Sequence, residues 1–489
     1  MNLRKTLARD PGAVHRVGAP IKQERWHSAP VSLQLSAMIK RFVLAAVFGV
    51  SAALAASPVD VPGFSHVKTV GDISEYLGEA NGLTVLLYPD SSAPVVTFMV
   101  TYLVGSRNEV TGTTGATHLL EHLMFKGSTH FNQENGNGYD QTLDPLGAQN
   151  NATTWFDRTN YYVNSPSDHL ATIVALEADR VRGLLLRESD RKPEMTVVRN
   201  EFERGENSPI NALIDQIGAA AFVAHPYHHS TIGWRSDIEN VPIEKLRAFY
   251  DTYYWPNNAT VSVIGDFDPA TALELIGEQF GALPRSPEPI PQLYTTEPEQ
   301  DGPRRIIVKR AGQLGVVDIA HKIPPGTDPD YPAVTVFSRI LSSGKNSRLY
   351  RALTDPGLST GVEAFAFYNH DMTLHHTLIP LAPDVPHQKA EDLALAEIAR
   401  IQTDGVTEKE VAAAISQILS ESAYDRDGPF AIAGVLNEHI AVGNWAAYYT
   451  MDEAIREVTP ADVQRVAQRY FIEDRSTTGW FVPRVTADQ

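Results

Sequence analysis

Two kinds of hydrophobic spacing succeed one another along this chain. Val95-Val-Thr-Phe-Met-Val-Thr-Tyr-Leu103 and Ala259-Thr-Val-Ser-Val-Ile264 are short runs rich in β-branched and aromatic residues, which predicts strands. Ile243-Glu-Lys-Leu-Arg-Ala-Phe-Tyr-Asp-Thr-Tyr-Tyr254 repeats its apolar positions at helical spacing, which predicts an amphipathic helix. Strand-like and helix-like segments alternate in this way from about Val61 to Leu283, and again from about Arg304 to the end. The stretch between them, 284–303, is rich in Pro and polar residues and poor in periodicity, which is linker chemistry.

The two halves share a pattern. The first ends in the helix just named, then Trp255-Pro-Asn-Asn258, then the strand from Ala259; the second ends in Ala461–Phe471, Ile472-Glu-Asp-Arg475 and Ser476-Thr-Thr-Gly-Trp-Phe-Val482. Upstream, strand, Gly-rich loop and helix after Val95 are matched by Gly315–Ala320, Pro324-Pro-Gly326 and a helix from Tyr331. The expected fold is therefore α+β: two duplicated α/β units, each an antiparallel or mixed sheet with helices packed on one face. The expected boundaries are 57–283 for the first unit, 284–303 for the linker and 304–489 for the second.

Residues 1–56 read as an N-terminal extension and export signal. Phe42–Ala56 is an uncharged apolar run, preceded by Lys40-Arg41 and containing Ala53-Leu54-Ala55, a small-residue cleavage pattern. Translation from Met38, cleavage near Ala55 and a periplasmic or secreted mature chain are expected. The basic residues before Met38 support a mitochondrial transit peptide as the alternative. At 15 residues the run is short for a membrane span, and no other stretch of the sequence reaches that length.

Composition narrows the chemistry. With 59 acidic against 41 basic side chains the chain carries a net charge of −18, which argues against a nucleic-acid binder. It has no cysteine, so thiol nucleophiles, thiolate metal sites and disulfides are excluded, and a metal must use His, Asp or Glu.

His118-Leu-Leu-Glu121-His122 falls in a run of helix formers after Thr111-Gly-Thr-Thr-Gly115. On a helix, positions i and i+4 project from one face, so both imidazoles can reach one ion, with Glu121 beside them. A third ligand is sought in Pro193–Arg204, a helical pattern in which Glu194 and Glu201 are seven apart and share a face. Val197 and Val198 fill the intervening turn, which predicts a buried face carrying carboxylates that need a cation. A second cluster, His225, His228 and His229, is interrupted by Pro226 and reads as a polar loop.

His118-x-x-Glu121-His122, followed 79 residues after His122 by Glu201 with Glu194 between, resembles the pitrilysin-type zinc metallopeptidases, the inverted zincins. It is most similar to their short two-unit class related to mitochondrial processing peptidase. Gly147-Ala-Gln-Asn-Asn151-Ala152-Thr-Thr-Trp-Phe-Asp157-Arg-Thr159-Asn-Tyr161, and His225-Pro-Tyr227 with Gly233 and Asp237-Ile238, are family-like as well. The resemblance implies a half-clamshell fold. It implies one zinc ion per chain on His118, His122 and Glu201, with Glu121 as general base and Glu194 orienting a ligand or its water. It implies an extended peptide substrate held along the strand at Asn151-Ala152.

Aligning Gly344 with Gly127 puts Thr335, Ser338 and Arg339 where the first unit has His118, Glu121 and His122, so the second unit is expected to hold no metal and to clamp substrate. The family's substrate-holding Arg and Tyr follow a Ser-Arg-Leu sequence. Here Ser347-Arg348-Leu349 is followed by Thr354-Asp-Pro-Gly-Leu-Ser-Thr360, with only Tyr350 and Arg351 near by as substitutes. This points to a dimer, and to a heterodimer whose other subunit supplies them. The expected function is that of an exported zinc endopeptidase; the alternative is a non-catalytic or partner-dependent subunit of the same fold.

Overall fold

The computed structural model describes residues 58–484. The expected export signal and the cleavage near Ala55 lie outside them. Among these residues no helix is long and apolar enough to cross a membrane.

The described strands form two mixed sheets. The first contains β1 (Phe64–Val70), β2 (Ile73–Gly78), β3 (Thr84–Pro89), β4 (Val95–Tyr102), β5 (Gln149–Thr154), β6 (Thr159–Pro166) and β7 (Ala259–Gly265), in the order β1-β2-β3-β7-β4-β6-β5. The second contains β8 (Arg304–Ala311), β9 (Val316–Ile323), β10 (Glu363–Ala366), β11 (Thr373–Pro380) and β12 (Ser476–Arg484), in the order β10-β11-β9-β12-β8. Read from the other end, the second order is β8-β12-β9-β11-β10, which repeats β3-β7-β4-β6-β5 strand for strand. In both, the last strand inserts beside the first, parallel to it, and antiparallel to the next. The duplication expected from the sequence is thus present in the pairing, with β1 and β2 as an added hairpin.

Each sheet buries one face against helices of its own half. Val85, Leu87, Phe98, Val100, Val261 and Val263 pack with Leu119, Leu123, Ile173, Leu246 and Phe280. Val317, Ile319 and Ile379 pack with Phe337, Leu341, Ile398 and Val466. The other faces hold an arrangement that hydrophobic spacing does not reveal, because each is covered by a helix from the opposite half. Ile432, Leu436 and Ile440 of the helix Pro429–Ala441 lie on Leu86, Met99 and Ile264. Leu213, Ile217 and Ala221 of the helix Pro209–Ala221 lie on Ala320, Leu374, Leu378 and Phe481. Buried side chains of this kind contribute about 1.5–3 kcal/mol each, so the exchange joins the halves firmly.

Both exchanged helices begin with proline, which suits a first helical position and turns the chain away from the long helix before it. Gly479 in β12 lets one of them approach, since a Cβ there would lie 2.8 Å from Leu213 and Ile217. The segment 284–303 has no regular secondary structure but is anchored. Glu297 is buried, accepts the N–H groups of Val223, Ala224 and His225, and pairs with Lys322 at 2.8 Å.

Candidate metal centre

The helix Ala116–Leu123 starts at Gly115, whose φ of +81° is in the left-handed region and where a Cβ would lie 2.3 Å from the Ile232 carbonyl oxygen. Two carboxylates that the sequence reading did not assign hold its entry. Buried Glu109 accepts from the N–H groups of Gly115 and Thr117, both at 2.8 Å, which satisfies two free amide groups of the first turn, while burial pushes its carboxyl up to about 8. Asp237 accepts from Gly112, Thr114 and the Thr114 hydroxyl, which fixes the Gly-Thr loop. Asp237 was visible only as part of a family-like stretch, and Glu109 had no signal of its own.

From this helix His118 and His122 project together, their ring centroids 4.9 Å apart. The helix Glu188–Glu206 packs across them and brings Glu201 Oε2 to 3.7 Å from His118 Nε2 and 3.6 Å from His122 Nε2. Among the described residues these three are the one group of His, Asp and Glu side chains whose ligand atoms converge, all within 4.8 Å of one another. Bond lengths of about 2.0–2.2 Å at tetrahedral angles put zinc ligands roughly 3.4 Å apart, so the spacing suits that ion. Burial, reinforced by the neighbouring His122, pushes the His118 imidazole down to about 3, which keeps it neutral as ligation requires.

Glu194 lies on the same helix, mostly buried. Its Oε2 is 3.2 Å from His122 Nδ1 and its Oε1 2.5 Å from Lys126 Nζ. With Nδ1 engaged, His122 is left to present Nε2 to the cluster. Of the two valines expected to be buried beside these glutamates only Val198 is; Val197 sits on the flank of the helix, 42% exposed. Glu121 is buried, which raises its carboxyl, and it accepts a hydrogen bond from Thr154 Oγ1 of β5. Thr154 is a contact that the sequence reading missed.

Asn151 and Ala152 lie in β5, an edge strand paired only with β6. Asn151 is exposed and Ala152 buried, and the Asn151 side chain accepts from the Ala152 N–H at 2.9 Å. The polar loop expected at His225–His229 is covered at the junction of the halves, with His225 and His229 buried, because the chain there turns under Glu297 and against Asp371.

In the second half, Thr335, Ser338 and Arg339 occupy the helix Tyr331–Ser342. Thr335 and Ser338 bond back to helix carbonyls, and Arg339 forms a two-pronged ion pair with Glu421 of the helix Glu408–Tyr424. A guanidinium and a carboxylate thus join two crossing helices where the first half sets imidazoles against Glu201. Arg351 lies in a shallow cleft with Arg339, Ser347, Lys409 and Glu410, and no metal-site residue of the first half lines that cleft.

Two crossing helices that present His-x-x-Glu-His against a distant glutamate, on a duplicated mixed-sheet fold, define an inverted-zincin architecture. Residues 84–234 match the family described as Insulinase (Peptidase family M16), and 240–418 match the Peptidase M16 inactive domain. The zinc protease PqqE of Helicobacter pylori is 30% identical over 454 residues, covering 91% of this chain and 100% of that protein. The mitochondrial-processing peptidase subunit beta of Lentinula edodes is 25% identical over 420 residues, 83% of this chain and 89% of its own. The crystal structure of a protease from Helicobacter pylori superposes with a TM-score of 0.79 at 28% identity, covering 86% of this chain and all of that one. The chain belongs to peptidase family M16.

Proposed function

We propose that this chain is an exported zinc metallopeptidase that hydrolyses peptide bonds in peptides or small unfolded proteins. The observation that carries the reading is the placement of Glu201 Oε2 at 3.7 and 3.6 Å from the two imidazoles with Glu121 buried beside them. His118, His122 and Glu201 hold one zinc ion per chain, and Glu194 fixes the His122 ring. Bound there, zinc supplies Lewis-acid polarisation and brings the pKa of water down to about 7. Glu121 takes the proton of the attacking water and returns it to the leaving amine. The free edge of β5 at Asn151-Ala152 pairs with the main chain of an extended substrate, which gives affinity with little demand on sequence.

The mature chain works in the periplasm or outside the cell, as a dimer and preferably with a second kind of subunit, since the Arg and Tyr expected after Ser347-Arg348-Leu349 are replaced by Thr354 and its neighbours. The same replacement favours the second reading, a non-catalytic subunit. Hydrolysis of a fluorogenic peptide library, with and without chelator and with the co-expressed product of a neighbouring gene, separates the two. The expected result is chelator-sensitive cleavage that zinc restores. Glu121→Gln keeps its zinc and loses turnover by about 10²–10⁴-fold. Full activity in Glu121→Gln refutes the assigned base, and stoichiometric zinc without turnover under every condition establishes the non-catalytic subunit.

A further inference from the structure

Asp157 and Arg158, neighbours in the turn between β5 and β6, are buried charges that take no part in the metal cluster. Buried charges are retained only when well paired, so their partners are informative. Asp157 Oδ1 accepts from Tyr227 Oη at 2.6 Å and from Arg107 at 3.2 Å, and its Oδ2 accepts the His370 N–H at 2.9 Å. Arg107 continues to Asp371 Oδ2 at 3.1 Å, and His225 Nε2 lies 3.2 Å from the same oxygen. His370 and Asp371 belong to the turn between β10 and β11, in the second half.

Arg158 is gripped from the other side. Its Nη1 donates to the Thr153 carbonyl at 3.1 Å and to Asn160 Oδ1 at 2.9 Å, while Nε and Nη2 reach Glu438 Oε1 at 3.1 and 2.5 Å. Glu438 lies on the exchanged helix Pro429–Ala441, and its neighbour Asn437 is bonded to Thr101 of β4 at 2.8 Å. The second half therefore holds the β5–β6 turn at two independent points. That turn leads directly to Trp155, whose N–H donates to the Arg158 carbonyl at 2.8 Å, and to Thr154, which is bonded to Glu121.

We propose that the metal-free half positions the active site: by holding Asp157 and Arg158 it sets the β5–β6 hairpin, and through Thr154 and the strand edge it aligns Glu121 and the substrate. The kinetic part rests on the peptidase reading; the mechanical part does not. Arg158, Asp157 and Glu438 are positioning residues and touch no reacting atom.

The test is Glu438→Gln in the full-length zinc-loaded protein, with Tyr227→Phe loosening the other grip. Losing a charge-assisted hydrogen bond is expected to speed amide exchange at Trp155 and across Gln149–Thr154 about tenfold, with exchange in Ala116–Leu123 unchanged. Zinc content stays at the wild-type level and the thermal midpoint falls by only a few degrees, kcat measured well below that midpoint falls about tenfold with KM within about twofold, and Glu438→Asp recovers part of the loss. Tyr227→Phe gives the same signature, weaker. Unchanged exchange in β5, or a fall in turnover that follows loss of zinc, overturns the proposal. If the wild type cleaves no peptide, the peptidase reading fails and the exchange measurement alone decides the positioning role.

Discussion

Replacing Glu194 with Gln tests the proposed division between an orienting carboxylate, Glu194, and the ligands His118, His122 and Glu201. Glu194 reaches His122 Nδ1 at 3.2 Å through one oxygen and Lys126 Nζ at 2.5 Å through the other, so it fixes the ring and is itself fixed. Gln keeps the shape and can still accept from Nδ1–H, but it removes the charge that makes Nε2 a stronger donor. Replacements of this kind cost about 10–100-fold in metal affinity, or roughly 1.4–2.7 kcal/mol. His118 supplies an internal reference: its Nδ1 is buried without a hydrogen-bond partner among the described residues and has nothing to lose. Zinc is therefore held more weakly but not released. Lys126, more than a third exposed, is rehydrated when its partner goes, and the zinc-free protein changes in stability by less than about 1 kcal/mol. Competition with a chromophoric chelator at fixed pH, together with melts of the metal-free protein, measures both quantities. An unchanged zinc Kd refutes the orienting role. A loss as large as that of His122→Ala refutes it in the opposite direction, since Glu194 is then a ligand.

Equilibrium dialysis is expected to give one zinc per chain, abolished by His118→Ala and untouched by Glu421→Ala; a second equivalent sensitive to Glu421 contradicts the metal-free second half. Leu436→Ala on the exchanged helix removes a fully buried side chain and is expected to cost about 2–5 kcal/mol, read by urea denaturation as a single shifted transition; separate transitions for the two halves show that the exchange does not couple them. Glu297 gives a pH signature. Burial pushes its carboxyl up, but the Lys322 ammonium and three backbone N–H groups outweigh burial and hold it at about 2. Its contribution is complete above the ordinary carboxyl range and is lost as pH falls through about 2. The stability gap between wild type and Glu297→Gln is therefore widest above about pH 5 and closes on acidification; a gap independent of pH shows that Glu297 acts through packing.

Much of the candidate site's geometry was legible because its residues recur at helical spacing. His118, Glu121 and His122 share one short helix, and Glu194 and Glu201, seven apart, share another, so local geometry brings each set to one face. The duplication of an α/β unit could be read from repeated strand and helix patterns, but the order of strands within each sheet could not. What escaped were choices made between distant segments. A helix apolar nearly all round, such as Pro429–Ala441, declares that it must be covered, but not which sheet covers it. For the same reason the polar run at His225–His229 gave no sign of being covered, since its burial depends on Asp371 and Glu297, 146 and 72 residues away from His225. Val197 erred in the opposite sense: hydrophobic character alone placed it inside, and nothing packs over that flank of the helix.

The open edge of β5 has a consequence for behaviour in solution. An unpaired strand edge invites identical strands to add to it, the first step towards aggregation. Here the edge reads Gln149-Asn-Asn-Ala-Thr-Thr154, polar at five of six positions and without a large apolar side chain, so a stray strand buries little apolar surface on it. Concentrated stocks are therefore expected to stay dispersed, while substitution of Thr153 by valine or isoleucine turns the same edge into a seed for fibres.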